Sequence, residues 1–186
     1  VIFNKHSELA GRHAFLSPSK YHWINYDEEK LDRSYIASRA AQRGTELHAL
    51  AHEMIRLGVK LPNTKKTLNR YVNDCIGYRM IPEQPLFYSE NAFGTADAIS
   101  FRRGVLRISD LKTGVTPTSD SQLLVYAAFF CLEYRFKPFE IEATELRIYQ
   151  NDDVEFTLAD PDSVAHIMST IVAFDKRIRA MREEDL

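Results

Sequence analysis

Apolar positions along the chain recur with two different periods, and the changes of period mark out the elements. From Ser34 to Leu57 the spacing is helical, with Leu47, Leu50, Ala51, Met54 and Leu57 in one stripe. Gly58 stands where a helix C-terminus favours glycine, and Gly44 leaves open one long helix or two joined there. Thr64 to Met80 predicts a second amphipathic helix, with Leu68, Tyr71, Val72, Cys75 and Ile76 inward and Pro82 as its stop. Strands are expected over Gln84–Glu90, Ala96–Phe101 and Val105–Leu111, the last two joined by Arg102-Arg103-Gly104. A third helix is expected over Thr118–Phe136, where Ser119-Asp120-Ser121-Gln122 fits a capping box. Two strands, Phe139–Gln150 and Val154–Leu158, follow around Asn151-Asp152-Asp153. Asp160-Pro161 then caps a final helix to about Glu184, with Val164, Ile167, Met168, Ile171, Val172, Phe174 and Ile178 as its apolar positions. Residues 1–33 are polar and irregular apart from a short helix opened by Ser17-Pro18 and running through Trp23. The pattern predicts an arm (1–33), packed by Phe15, Leu16, Trp23 and Ile24 on one α/β domain (34–186) with a mixed central sheet and flanking helices.

The hairpin at the centre of that pattern carries the candidate chemistry. If Arg103-Gly104 is a two-residue turn, facing residues have numbers summing to 207, which sets Asp97 opposite Asp110. Ile99, Phe101, Leu106 and Ile108 then share the face on which the two aspartates end. Carboxylates so placed have Cβ atoms roughly 4.5–5.5 Å apart and repel each other unless a cation lies between them. Hard divalent ions take carboxylate oxygens, and Lys112 follows on the same face. Such a trio suits metal-assisted hydrolysis of a phosphodiester. The residues alone leave a second reading open, a charged hairpin end with a surface Asp–Lys pair.

Composition narrows the classes. The 186 residues are 45% hydrophobic, enough for one domain with a core. A net charge of −2 gives no overall basic signature, so a nucleic-acid ligand would need local positive patches. Candidates are Arg102, Arg103 and Arg107 on the hairpin, Lys65, Lys66 and Arg70, and Lys176, Arg177, Arg179 and Arg182. Two cysteines, Cys75 and Cys131, exclude a disulfide framework or multi-cysteine zinc site. No stretch reaches membrane-spanning length and no signal peptide is visible, so cytoplasm is the expected compartment, with no membrane partner. A first residue of Val1 leaves open a native start further upstream.

Asp97 followed by Asp110-Leu111-Lys112 resembles the D…(D/E)xK signature of the PD-(D/E)XK nuclease superfamily. Gly44-Thr45-Glu46-Leu47-His48, Gly94-Thr95-Ala96-Asp97 and Gln122-Leu123-Leu124-Val125-Tyr126 resemble, in order and spacing, the RecB-type branch, which includes phage exonucleases and CRISPR adaptation nucleases. Ser17-Pro18-Ser19 and Trp23 are similar to the opening of its phage members, although Tyr26-Asp27 stands where those carry Cys-Pro. The branch's four-cysteine iron–sulfur site has no counterpart here. The resemblance implies a restriction-endonuclease-like core and Mg²⁺- or Mn²⁺-dependent cleavage of DNA, as single strands or at duplex ends. Asp97, Asp110, His48 and the carbonyl of Leu111 would be metal ligands, and Lys112 would act on the attacking water and the phosphate. Gln122 and Tyr126 would contact nucleic acid. Glu90 would bind the metal through water or hydrogen-bond its ligands; Glu53, which the resemblance does not support, could hydrogen-bond a ligand from the neighbouring helix. A role in phage recombination beside a single-strand annealing protein follows from the same analogy.

Three alternatives stand beside this reading. One is a domain of the same fold that binds nucleic acid or a protein without cutting. Another is a zinc hydrolase built on His48 and His52, one helical turn apart, although these do not form H-E-x-x-H. A serine β-lactamase reading of Ser17-Pro18-Ser19-Lys20 and Lys112-Thr113-Gly114 fails on order, since Ser119-Asp120 follows the Lys-Thr-Gly.

Overall fold

The computed structural model describes residues 14–184. Two compact units divide the chain, Val1–Thr45 and Glu46–Leu186. Helix α1 (Glu28–Leu57) runs through the division, so the expected arm boundary at residue 33 falls inside a helix. The helix starts six residues before the expected Ser34 because Asp27 caps it: Asp27 Oδ1 accepts the Lys30 N–H at 2.7 Å, with Glu28 and Glu29 in the first turn. Before it, Pro18–Asn25 forms 3-10 turns, and the Trp23 indole N–H donates to the Ser17 carbonyl at 2.9 Å. Leu16 and Ile24, expected to be packed, are exposed.

The second unit carries the sheet. Helix α2 (Thr67–Gly77) buries Tyr71, Val72 and Cys75, as the periodicity predicts. It stops at Gly77, before Pro82, and strand β1 (Ile81–Ser89) begins three residues earlier than expected. Strands β2 (Ala92–Arg102) and β3 (Val105–Leu111) follow, then helix α3 (Ser121–Tyr134), β4 (Ala143–Gln150), β5 (Asp153–Leu158) and helix α4 (Pro161–Glu184). The strands lie in the order β1-β2-β3-β4-β5, and β3–β4 is the single parallel pair, connected through α3. The fold is α/β, a mixed five-stranded sheet with helices packed against it, as the pattern predicts. Pro82 and Pro85 are tolerated because β1 is an edge strand.

The β2–β3 turn fixes the register. Arg103 (φ 51°) and Gly104 (φ 76°) both take left-handed backbone, the conformation of a two-residue turn matched to strand twist. Pairs from Arg102↔Val105 to Ala98↔Ser109 follow the sum of 207. Two apolar clusters sandwich the sheet. One joins Ile99, Leu106, Ile108, Leu146 and Ile148 to Ala127, Phe130 and Val164 of α3 and α4. The other joins Ala98, Leu111 and Tyr149 to Tyr71, Val72 and Cys75 of α2 and to Ala51 and Ile55 of α1. Within the second unit, α1 therefore turns His48, Ala51 and Ile55 inward, while Leu50 and Leu57 of the expected stripe are exposed. In α4 Val164, Ile167, Met168 and Ile171 pack as expected, but Val172, Phe174 and Ile178 are exposed and Asp175 is buried instead.

Candidate functional site

On β2, alternation breaks at the first aspartate. Ala96 packs in the cluster beneath α3 and Ala98 in the cluster beneath α2, although residues two apart in a regular strand share a face. On β1 the facing position is Glu83, with a left-handed φ of 51°, and the β1–β2 ladder skips the Glu83–Asp97 pair. Irregularities of this kind re-aim side chains at sheet edges and beside active sites. Here the outcome is a convergence: ligand atoms of His48, Glu83 and Asp97 all lie within 4.8 Å of one another. His48 Nδ1 is 3.6 Å from Asp97 Oδ2, and that oxygen also accepts the Leu111 N–H at 2.9 Å.

Asp110 stands next to this group without joining it. It occupies the register position opposite Asp97, one step past the last β2–β3 pair, and is 3% exposed. Its Oδ2 is 3.0 Å from the Lys112 ammonium, an ion pair without hydrogen-bond alignment. Lys112 is fixed at the backbone by its N–H, which donates to the Tyr149 carbonyl at 2.9 Å and extends the parallel pairing with β4. Its ammonium donates to Gln122 Oε1 at 3.0 Å. Gln122 Nε2 donates to Tyr126 Oη at 3.3 Å, and that hydroxyl donates to the Thr95 carbonyl at 2.6 Å. A polar chain thus runs from Asp110 through Lys112, Gln122 and Tyr126 to the backbone of β2, two residues from Asp97. Gly94 gives the tyrosine room, since a Cβ there would lie 3.1 Å from Tyr126 Cε1. Beside Lys112 a slot of about 240 Å³ is walled by Leu47, Leu68 and Leu111.

The electrostatics single out Asp97. Burial raises its carboxyl above the ordinary carboxylate range; the Leu111 N–H works against the rise, and the negative charge of Asp110 adds to it. The pocket therefore holds a partly desolvated anion facing a second one, the condition a cation relieves. One imidazole with carboxylate oxygens is a donor set compatible with Mn²⁺, and the oxygens alone suit Mg²⁺. His48, Glu83 and Asp97 thus fit a divalent ion, with Asp110 adjacent.

The Leu111 N–H holds Asp97. Several other expectations need correction. Glu90 is in the exposed β1–β2 turn, seven residues before Asp97 and at the far end of the strand, too distant to support an ion there. Glu53 is engaged by Arg56 at 2.6 and 2.9 Å, and His52 lies outside the convergent group. The capping box is absent: Asp120 occupies the cap position and Gln122 faces Lys112 and Tyr126. Glu83 is the residue that sequence reasoning misses. Pro82 reads as a helix stop, and nothing in the local pattern announces a strand carrying a left-handed residue. Its number completes 180 with Asp97, but Ser89↔Ala92 across the Glu90-Asn91 turn sums to 181, and the register shift between Phe87 and Ser89 is what brings the sum to 180. Cys75 and Cys131 are free and buried, and no helix among the described residues is long and apolar enough to cross a membrane. No family model, curated protein or solved structure matches the chain.

Proposed function

We propose that the chain is a divalent-metal-dependent nuclease that hydrolyses DNA phosphodiester bonds, acting from strand ends. The observation that carries this is the convergence of His48, Glu83 and Asp97 beside the ordered Asp110–Lys112–Gln122–Tyr126 chain. His48, Glu83 and Asp97 would hold Mg²⁺ or Mn²⁺, with Asp110 completing the acidic wall. When bound, the ion supplies Lewis-acid polarisation of the phosphoryl group. Asp110 and Gln122 aim the Lys112 ammonium, which orients the attacking water and stabilises negative charge that develops on the phosphate. Tyr126, anchored on β2, would contact a nucleotide of the strand being cut. The link to phage recombination and an annealing partner rests on the resemblance alone.

Single- and double-stranded DNA, labelled at either end, tests this in Mn²⁺, Mg²⁺ and EDTA, with Asp110→Ala and Lys112→Ala alongside. Degradation that needs the metal and both side chains is expected, and the label position gives the polarity. Binding without metal-dependent degradation would leave a non-cutting nucleic-acid module in place of the enzyme.

A further inference from the structure

Arginines gather at the opposite end of the β2–β3 hairpin from Asp97. An open cleft of about 600 Å³ there is lined by Arg79, Arg102, Arg103, Arg107, Tyr78 and Glu142. Arg107 and Arg147 stack over the Tyr78 ring, 4.9 and 4.7 Å from its centroid, and both pair with Glu145 at 2.9 and 2.8 Å. Arg79, Arg102 and Arg103 are exposed and have no ion-pair partner among the described residues. Five arginines (79, 102, 103, 107 and 147) against Glu142 and Glu145 leave a local charge of +3 on a chain whose net charge is −2. The unpaired cations come from two connections, Arg79 between α2 and β1 and Arg102-Arg103 at the hairpin turn. Arg79 (φ 53°) and Arg103 (φ 51°) hold left-handed backbone that glycine or asparagine adopts with less strain.

Unpaired guanidiniums distributed along a cleft suit a chain of phosphates better than one small anion. Arg102 is five residues from Asp97 along β2, about 17 Å at a rise of about 3.4 Å per residue. That is about five nucleotide steps along a duplex strand at ~3.4 Å each. We propose that this arginine cleft is a second nucleic-acid contact, gripping backbone phosphates several nucleotides from the Asp97 group. Its placement relative to a bond being cut rests on the nuclease reading given above.

The test uses the full chain and the Arg79→Asn/Arg102→Ala/Arg103→Asn variant, asparagine being chosen for the two left-handed positions. Binding of a fluorescein-labelled 20-nucleotide strand is followed by anisotropy in EDTA across a salt series. With three phosphate-binding cations removed, the slope of log affinity against log salt is expected to flatten by about 2, at roughly 0.7 per cation. Affinity near 0.1 M salt falls at least tenfold, and Arg79→Lys/Arg102→Lys/Arg103→Lys restores most of both. Cleavage of a four-nucleotide substrate, too short to span the distance, stays at the wild-type rate. Should the triple variant melt abnormally, Arg102→Ala alone carries the test, with a slope change of about 0.7. An unchanged slope and affinity in the arginine variants overturns the proposal and leaves the nuclease reading standing. Arginine-dependent binding without any Mn²⁺-dependent cleavage supports the cleft and removes the nuclease reading. Failure of the wild type to bind DNA at all, including a preference for acidic protein in its place, overturns the proposal.

Discussion

Replacing Asp97 with asparagine should have opposite effects with and without metal. The amide keeps the shape and keeps an oxygen to accept the Leu111 N–H, now at 2.9 Å from Oδ2, but removes a partly buried charge that faces Asp110. Removing a charge that burial and a like neighbour penalise relieves about 1.4 kcal/mol for each tenfold rise in proton affinity that they impose. The Leu111 amide and His48 already compensate part of this charge, so about 1–2 kcal/mol is expected in EDTA. At about 2–4 °C per kcal/mol for a chain of this size, the variant should melt about 2–8 °C higher than wild type. Adding Mn²⁺ at 100 times the wild-type dissociation constant stabilises wild type by about 2.7 kcal/mol, or about 5–11 °C. Loss of a ligand that weakens binding about 100-fold leaves only about 0.4 kcal/mol for the variant at that concentration. Differential scanning fluorimetry in EDTA and in Mn²⁺ reads both numbers. The EDTA advantage should also depend on pH. The Asp97 penalty is complete above its raised folded pKa and absent below the unfolded value of about 3.9, so the gap between variant and wild type narrows as pH falls. If Asp97→Asn melts lower in EDTA and still shifts with Mn²⁺ as wild type does, Asp97 is a structural acceptor for Leu111 and the metal reasoning fails.

Two further outcomes follow from packing and from a buried carboxylate. Gly94→Ala should destabilise by about 1–3 kcal/mol, because its Cβ meets Tyr126 Cε1 at 3.1 Å while the tyrosine hydroxyl is tied to Thr95. Urea unfolding of Gly94→Ala, Tyr126→Ala and the double variant should give a coupling of at least about 0.5 kcal/mol, and simple additivity would refute the contact. Asp175 accepts hydrogen bonds from Ser89 at 2.6 Å and Asn91 at 2.8 Å and pairs with Arg179, and these, led by Ser89, hold its carboxyl below the usual range. Stability from that lowered pKa is present above about pH 4 and is lost as pH falls through the folded value. Asp175→Asn should therefore lower the melting temperature at pH 7, with the deficit shrinking as pH falls below about 4; a deficit that does not change with pH would refute it.

The hairpin was legible because its register depends on two adjacent residues. Once Arg103-Gly104 is a turn, the pairing of every residue back to Ala98 follows. Gln122 and Tyr126 stand out in the sequence as polar residues one turn apart on a helix crowded with apolar ones, whereas the Lys112 contact to Gln122 has no signature there. Glu83 was hidden because its role depends on a left-handed residue in an edge strand between two prolines, where alternation gives no signal. In α1, apolar spacing suggested a stripe through Leu50 and Leu57, whereas Ala51 and Ile55 are buried and His48 is half-buried. Several apolar faces were available on that helix, and tertiary packing chose among them. The N-terminal extension of α1 turned on Asp27, a cap that the expected start at Ser34 overlooked.

Single-turnover cleavage of end-labelled DNA in Mn²⁺, with wild type, Glu83→Gln and Lys112→Ala side by side, puts the proposed chemistry to the sharpest trial. Wild type should cut only with the metal. Lys112→Ala should be slower by about 10²–10⁴-fold, the usual worth of a positioned group acting on a proton or developing charge. Glu83→Gln should need far more Mn²⁺ to reach any given rate, while binding DNA as wild type does. Cleavage that persists in EDTA, or that proceeds at the wild-type rate and metal requirement in both variants, would contradict a hydrolytic centre built from these residues.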